Sequence, residues 1–107
     1  MAEFLLPSLK LKSRGANGEM LEEKLHKFLL ANFSAYTAQA GNIFGYWKDA
    51  HGHDHYGEHK LYKVSFEGVD RIPLLESFLG EMSAEMQEEC VYFETGEDAW
   101  LIYPEKI

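Results

Sequence analysis

Two stretches of this chain carry apolar residues at intervals of three and four, and they restrict the fold more than any other feature. In the second stretch Asp70 is a suitable N-cap and Pro73 falls in the first turn, where proline is tolerated. Both stretches predict amphipathic helices that bury one face. The apolar positions are Met20, Leu21, Leu25, Phe28 and Leu29 in the first helix and Ile72, Leu75, Leu79, Met82 and Met86 in the second.

The segments around these helices alternate apolar and polar residues or are rich in β-branched and aromatic residues, which is typical of strands. Leu9 and Leu11 alternate with lysines near the start of the chain. Gly41 and Gly45 are suited to a bulge or to the close approach of another group. We therefore predict strands near residues 4–12, 35–48, 61–66, 90–93 and 99–103, with a hairpin tip at residues 51–57. Pro7 in the first segment indicates an edge position or a late strand start.

The predicted order of elements is strand, helix, strand, strand, helix, strand, followed by one extra strand. This order resembles the ferredoxin-like split βαβ arrangement, in which two helices cover one face of an antiparallel sheet. We expect an α+β fold of this kind with an extra C-terminal hairpin strand. The 107 residues are enough for one hydrophobic core, so residues 1–107 should form a single α+β domain.

The second and third predicted strands carry more aromatic residues than one layer of helices needs to cover. An apolar sheet face that the helices leave open would be buried by a second subunit. We therefore expect a homodimer, in the manner of a dimeric α+β barrel.

The chain has 10 basic and 18 acidic residues and a formal net charge of −8. Because this acidity repels phosphate backbones, we expect no binding to nucleic acid, whereas a basic protein partner would suit an acidic surface. Cys90 is the single cysteine, so no intrachain disulfide can form, which favours a cytoplasmic location. No apolar run approaches the roughly 18 residues of a membrane helix, so we expect no membrane association.

Four of the 5 histidines lie close together at the expected hairpin tip. Imidazole is the commonest side-chain ligand for divalent transition metals, and residues two apart on an extended arm share a face. Two or three imidazoles with a carboxylate suit zinc, nickel, iron or copper. We predict a site for one of these metals, and a solvated tip without a metal is the alternative. The candidate ligands are His51, His53, His55, Glu58 and His59, with Glu58 or His59 arriving from the opposite arm of the hairpin.

Gly45, His51, His53 and Glu58 have a spacing that resembles the first motif of the cupin family, in which two histidines and a glutamate on a hairpin hold a metal. That resemblance implies a jelly-roll barrel. The glycine expected to close the motif is Ser65 here, and the chain has no later histidine for the second motif. The second predicted helix also lies where a jelly roll needs strands. These departures rank the cupin fold below the α+β fold.

Trp47, Tyr62 and Trp100 are large aromatic residues on predicted strands, and they are candidates to line a ligand pocket on the open sheet face. The sequence assigns no catalytic residue. Cys90 precedes apolar strand residues, where a small buried side chain is commoner than a nucleophile.

These features predict a small soluble binding or sensing protein whose histidine-rich hairpin holds a divalent transition metal. The first alternative is a small metal-dependent enzyme with a centre of two histidines and one carboxylate, which needs an open coordination position facing an apolar pocket. The second alternative is an acidic protein-interaction module or inhibitor without a metal. Glu88 and Glu89 are expected on the solvated side of the second helix, where they would add to such an acidic surface.

Overall fold

The computed structural model describes residues 1–96 and 98–104, apart from the side chain of Asn42. In chain order the elements are β1 (Ala2–Pro7), α1 (Ser8–Leu11), α2 (Leu21–Phe33), β2 (Thr37–Lys48), β3 (Asp54–Val64), α3 (Ile72–Met86), β4 (Val91–Thr95) and β5 (Ala99–Ile102). The strands form one 5-stranded antiparallel sheet in the order β2-β3-β1-β4-β5. The fold is mixed α+β, and its first strand lies at the centre of the sheet.

Strand β1 alternates between the two faces of the sheet, because its even-numbered residues are buried and its odd-numbered residues are half-buried. Pro7 ends the strand, and the chain turns directly into α1. The strand expected at residues 4–12 is therefore confirmed for residues 4–7 and wrong beyond Pro7, and it lies at the centre of the sheet where Pro7 indicated an edge. Leu9 is exposed and Leu11 is buried because these residues form a single helical turn.

Helices α2 and α3 pack their apolar stripes against one face of the sheet. The rings of Phe28 and Phe78 stack between the two helices with centroids 3.8 Å apart. Each large apolar side chain that is fully buried in this way contributes about 1.5–3 kcal/mol. The helix predicted from the stripe at residues 72–86 is confirmed. None of the helices in residues 1–96 and 98–104 is long and apolar enough to cross a membrane.

The sheet has a covered face and an open face. Phe4 of β1 lies opposite Tyr62 of β3 and Phe93 of β4, and its ring stacks with both on the face that α2 and α3 cover. Leu5 is the next residue along β1 and lies opposite Leu61, so these two side chains belong to the other face. We call this second side of the sheet the open face.

Strands β2 and β3 form a long hairpin with its turn at residues 49–53. The backbone N–H of Asp49 donates to His53 O at 2.9 Å, and Gly52 adopts a φ of +83° that favours glycine. The tip expected at residues 51–57 is wrong, because the chain is already extended from Asp54 onward. The histidines and the glutamate of residues 55–59 therefore lie on one arm of the hairpin, whereas two arms were expected.

An irregularity interrupts β2 near its middle. Gln39 pairs with Leu61 and Ile43 pairs with His59, so four steps along β2 correspond to two steps along β3. Gly41 lies inside this interval with a φ of +84°. The bulge predicted at Gly41 is confirmed, and the pairing is regular again from residue 43 to residue 48.

Candidate functional site

A pocket of about 190 Å³ lies on the open face. Pockets that enclose drug-sized ligands have volumes of roughly 300–1,000 Å³, so this smaller cleft suits the ring system of a small ligand. The apolar part of its lining includes Leu5, Pro7, Trp47 and Leu101. The polar part includes His59, Glu88, Glu89 and Cys90. An apolar wall with a few polar groups is typical of a small-molecule site, and we call this cleft the open-face pocket.

His59 is held in one orientation on the wall of the pocket. Its Nδ1 lies 2.7 Å from the carbonyl oxygen of Gly57. The ring lies over Gly45 of β2, where an added Cβ would come within 3.0 Å of His59 Cε1. It also meets Trp47 edge-on, with centroids 6.1 Å apart. The close approach predicted at Gly45 is confirmed, and the group that approaches is the imidazole of His59.

Trp47 connects the pocket to the hairpin tip. It lies opposite His55 on β3, and the two rings stack with centroids 5.4 Å apart and an interplanar angle of 14°. Trp47 is half-buried, so part of its indole remains available to the pocket that it lines. An aromatic surface of this kind binds flat heterocycles by stacking.

Two glutamates form the acidic side of the pocket. Glu88 is half-buried and Glu89 is exposed, and both follow Gln87, whose left-handed conformation ends α3. Burial, followed by the charges of Glu89 and Glu88, raises the pKa of the Cys90 thiol. The thiol is therefore protonated at neutral pH and poorly suited to act as a nucleophile. No lysine or arginine is among the described residues that line the pocket, so its fixed charge is negative.

Asp49 organises the hairpin tip. Its Oδ1 accepts hydrogen bonds from the backbone N–H groups of His51 and His53, both at 2.9 Å. Its Oδ2 lies 2.7 Å from His55 Nε2 and 3.6 Å from His53 Nδ1. The hydrogen bond with His55, followed by the backbone hydrogen bond from His53, lowers the pKa of Asp49. An ionised Asp49 therefore contacts three of the clustered histidines.

The five predicted metal ligands are divided among different places on the hairpin. His51 and His53 lie at the exposed tip, with ring centroids 6.5 Å apart. His55 and His59 share one face of β3, and Glu58 lies on the other face because neighbouring strand residues alternate. In the part of the chain that the structure describes, no group of three or more His, Cys, Asp or Glu side chains is placed to hold a metal ion.

The three aromatic residues predicted for a pocket lie on different faces. Trp47 lines the open-face pocket. Tyr62 is only 2% exposed and lies opposite Phe4 on the covered face. Trp100 donates from Nε1 to Glu76 Oε2 of α3 at 3.0 Å. The expected position of Tyr62 and Trp100 on the open face is therefore corrected, because both side chains pack on the side of the helices.

The sequence reasoning did not place Glu88 and Glu89 in a pocket. It assigned them to the solvated side of α3, but the helix ends at Met86. A signal was available, because the apolar stripe stops at Met86 and a strand was expected from Cys90. The residues between these two points must connect a helix to a strand.

The fold and the pocket together define an α+β domain with a cleft on the face of its antiparallel sheet that α2 and α3 do not cover. No family model and no curated protein sequence matches this chain. Among solved structures, a phage SAM lyase in complex with S-methyl-5′-thioadenosine is similar to it, with a TM-score of 0.57 and 14% sequence identity. The match covers 99% of this chain and 90% of the lyase chain, so the two proteins share their overall fold.

Proposed function

We propose that this protein binds an adenine nucleoside with a thioether or sulfonium group at its 5′ position. S-methyl-5′-thioadenosine and S-adenosylmethionine (SAM) are the two examples that we would test. The observation that carries the proposal is the open-face pocket, which combines an aromatic wall at Trp47 with an acidic side at Glu88 and Glu89. The fold shared with a phage SAM lyase in complex with S-methyl-5′-thioadenosine supports the choice of ligand.

The aromatic and apolar lining suits a purine ring. Trp47 offers the surface of its indole, and Leu5 and Leu101 extend the apolar area beside it. Stacking of one base on an aromatic side chain stabilises a complex by about 1–3 kcal/mol. This contribution does not depend on ligand charge, so it applies to the thioether and to the sulfonium alike.

The acidic side of the pocket distinguishes among nucleosides. The carboxylates of Glu88 and Glu89 accept hydrogen bonds from ribose hydroxyls, and they attract the positive charge of a sulfonium. They repel a phosphate, and the net charge of −8 adds to that repulsion. Adenosine phosphates should therefore bind much more weakly than S-adenosylmethionine.

Isothermal titration with S-adenosylmethionine, S-methyl-5′-thioadenosine and AMP tests the proposal. We expect the first two ligands to bind, AMP to bind weakly, and Trp47→Ala to weaken binding about tenfold or more. Tyr56→Ala is the matched control, because Tyr56 is an exposed aromatic residue of the same hairpin that does not line the pocket. No binding of either nucleoside at millimolar concentration, or equal binding by both variants, would overturn the proposal.

Cleavage of S-adenosylmethionine is a second candidate function. The similar structure is that of a lyase, and His59 and Glu88 provide acceptors beside the same pocket. Chromatography of S-adenosylmethionine incubated with the protein measures release of S-methyl-5′-thioadenosine against a sample without protein. Release above that background supports an enzyme, and binding without release supports a sensor.

We also propose that the α+β fold is a ferredoxin-like split βαβ arrangement. Strands β1 to β4 lie in the order β2-β3-β1-β4, with α2 between β1 and β2 and α3 between β3 and β4. This order supports a ferredoxin-like split βαβ arrangement. Strand β5 extends the sheet beside β4 as the extra C-terminal strand.

We further propose a homodimer that forms through the open face. Tyr92 and Leu101 are 40% and 46% exposed on this face, so a second copy would cover apolar surface there. Light scattering after size-exclusion chromatography tests it with the Leu101→Glu variant. A dimer that the variant loses supports the interface, and a monomer at every concentration removes it.

A further inference from the structure

We infer that His59 is a specificity-determining residue of the open-face pocket, where its Nε2 accepts a hydrogen bond from an N–H or O–H group of the bound nucleoside. This inference rests on the proposed function and names the ligand feature that the pocket recognises. The pocket would then select ligands by the hydrogen-bond donors that they present.

The hydrogen bond at the other ring nitrogen fixes the tautomer of His59. Nδ1 lies 2.7 Å from the carbonyl oxygen of Gly57. Because a carbonyl oxygen only accepts, Nδ1 must carry the hydrogen. A neutral imidazole has one such hydrogen, so Nε2 keeps its lone pair and is an acceptor.

The packing around the ring keeps this acceptor in place. An atom added to Gly45 would come within 3.0 Å of His59 Cε1, so the ring lies directly on the backbone of β2. Trp47 contacts the ring edge-on at a centroid distance of 6.1 Å. Turning the ring over would break the hydrogen bond to Gly57. His59 is therefore oriented before any ligand arrives, which lowers the entropic cost of binding.

The other polar groups of the pocket make His59 one of several acceptors. Ionised Glu88 and Glu89 can only accept hydrogen bonds. The hydroxyl of Tyr92 donates to Glu94 Oε2 at 2.8 Å, so its hydrogen is already in use. The indole N–H of Trp47 and the thiol of Cys90 are donors on the same lining, but the charged groups there all accept, so the ligand is held chiefly through its own donors. The exocyclic amine of adenine and the ribose hydroxyls are donors, whereas a carbonyl or a phosphate oxygen is not.

Three nucleosides identify the donor that His59 accepts. S-methyl-5′-thioadenosine carries both kinds of donor, its inosine analogue replaces the amine with a carbonyl oxygen, and its 2′,3′-dideoxy analogue lacks both ribose hydroxyls. One of the two analogues should bind about tenfold more weakly than the parent, because a buried acceptor is then left unpaired. Loss with the inosine analogue assigns the amine, and loss with the dideoxy analogue assigns the ribose.

His59→Asn is the decisive variant. Asparagine keeps an N–H donor near the position of Nδ1 but has no acceptor near Nε2, so we expect binding of S-methyl-5′-thioadenosine to weaken about tenfold or more. His59→Gln returns an oxygen near Nε2 and should restore part of the loss. His51→Asn is the matched control at the exposed tip and should bind as the wild type does. Circular dichroism verifies that each variant folds.

A double-mutant cycle separates recognition from a purely structural effect. In His59→Asn the weak analogue should bind no worse than the parent nucleoside, since the acceptor that distinguished them is gone. Nitrogen NMR of the wild type should show the hydrogen on Nδ1 and a shift of the Nε2 signal when nucleoside binds.

Several results would overturn the inference. A hydrogen on Nε2 in the neutral ring, unchanged affinity in His59→Asn, or full discrimination between the nucleosides in that variant would each do so while leaving nucleoside binding intact. Failure of the wild type to bind any of the nucleosides would remove the proposed function as well. The two failures are therefore distinguishable.

Discussion

Gly45 lies directly beneath the imidazole of His59, and a Cβ atom built at Gly45 would stand 3.0 Å from His59 Cε1. Gly57, which pairs with Gly45 across the two strands, accepts the hydrogen bond of the same ring. The two paired glycines thus form a flat floor for one side chain of the open-face pocket. At Gly45 the lack of a side chain has a structural reason, because the ring of His59 occupies the space that a Cβ would need.

Gly45→Ala tests this floor. The ring must move by a few tenths of an ångström to admit the methyl group, so we expect a loss of about 1 kcal/mol in the free energy of unfolding and weaker nucleoside binding. Gly57→Ala is the control, because its Cβ would lie 3.7 Å from His59 Cε1, an ordinary contact. Urea unfolding and titration measure both effects. Equal results for the two variants would contradict the close approach.

Asp49 should control the order of the hairpin tip. Asp49→Ala removes the acceptor for the backbone N–H groups of His51 and His53, so their amide hydrogens should exchange faster. Asp49→Asn keeps an acceptor oxygen and should preserve most of the protection. Hydrogen exchange of these amides, measured by NMR, distinguishes the two variants. Equal exchange rates in both variants would show that the side-chain oxygen at position 49 does not hold the two N–H groups.

The tip should also depend on pH through Asp49. The pKa of this carboxyl lies below its ordinary value of 3.8 in the folded chain, chiefly because of the hydrogen bond with His55. Because the pKa is lowered, the ionised carboxylate stabilises the tip at pH values above the ordinary pKa. This stabilisation is lost as the pH falls through the lowered pKa. The carboxyl carbon signal of Asp49 should therefore titrate below 3.8. A midpoint at or above that value would contradict the contact.

Glu85 ties α3 to the loop before α2 and to α2 itself. Its carboxylate accepts hydrogen bonds from Lys24 Nζ at 2.7 Å and from Ala16 N at 3.2 Å. Burial alone raises the pKa of Glu85, but these hydrogen bonds outweigh it, so the pKa lies below its ordinary value of 4.5. The carboxylate therefore stabilises the fold above pH 4.5, and that stability is lost as the pH falls through the lowered pKa.

Glu85→Gln should consequently cost about 1 kcal/mol at pH 7, and the difference from the wild type should shrink below the ordinary pKa. Glu81→Gln, at an exposed position of α3, should cost little at any pH. Chemical unfolding at several pH values measures both variants. A pH-independent difference for Glu85→Gln would show that the ionised form is not what stabilises the chain.

Metal binding by the hairpin stays a prediction with its own test. Asp49 Oδ2 is near ring nitrogens of both His53 and His55, so a zinc or nickel ion would have to replace the existing contacts among these three groups. If the hairpin is a metal site, chelator-treated protein should bind one ion with submicromolar affinity, and His53→Ala/His55→Ala should abolish that binding. Weak binding that the double variant retains would indicate that the histidines form a solvated tip without a metal.

The sequence predicts elements with a strong local pattern and fails where a partner strand decides. The stripe from Ile72 to Met86 needs only its own spacing, and it corresponds to α3. The alternation of Leu9 and Leu11 predicts a strand that continues to residue 12, but the central strand ends at Pro7, and its burial comes from the neighbours on both sides. Local alternation carries no information about which segment occupies the centre of a sheet.

The candidate site can be predicted only in part from the sequence, again because partner strands decide where side chains lie. The sequence predicts Trp47, Tyr62 and Trp100 as pocket residues on equal grounds. Trp47 lines the pocket, whereas Tyr62 and Trp100 lie on the covered face. The face of a strand residue depends on pairing register, which the sequence alone does not give. The sequence predicts His59 as a candidate metal ligand, but its position over Gly45 depends on contacts between strands.

The interruption in β2 at Gly41 adds two residues relative to β3, and two is an even number. Side chains therefore alternate between the two faces of the sheet in the same order before and after the interruption. Trp47 consequently lies on the same face as Gln39. Removing one residue from the segment 40–42 would invert that order and carry the indole to the far side of the hairpin, away from His59. Removing two would shorten the loop and leave the indole facing the pocket. Variation in the length of this segment should thus be tolerated in steps of two.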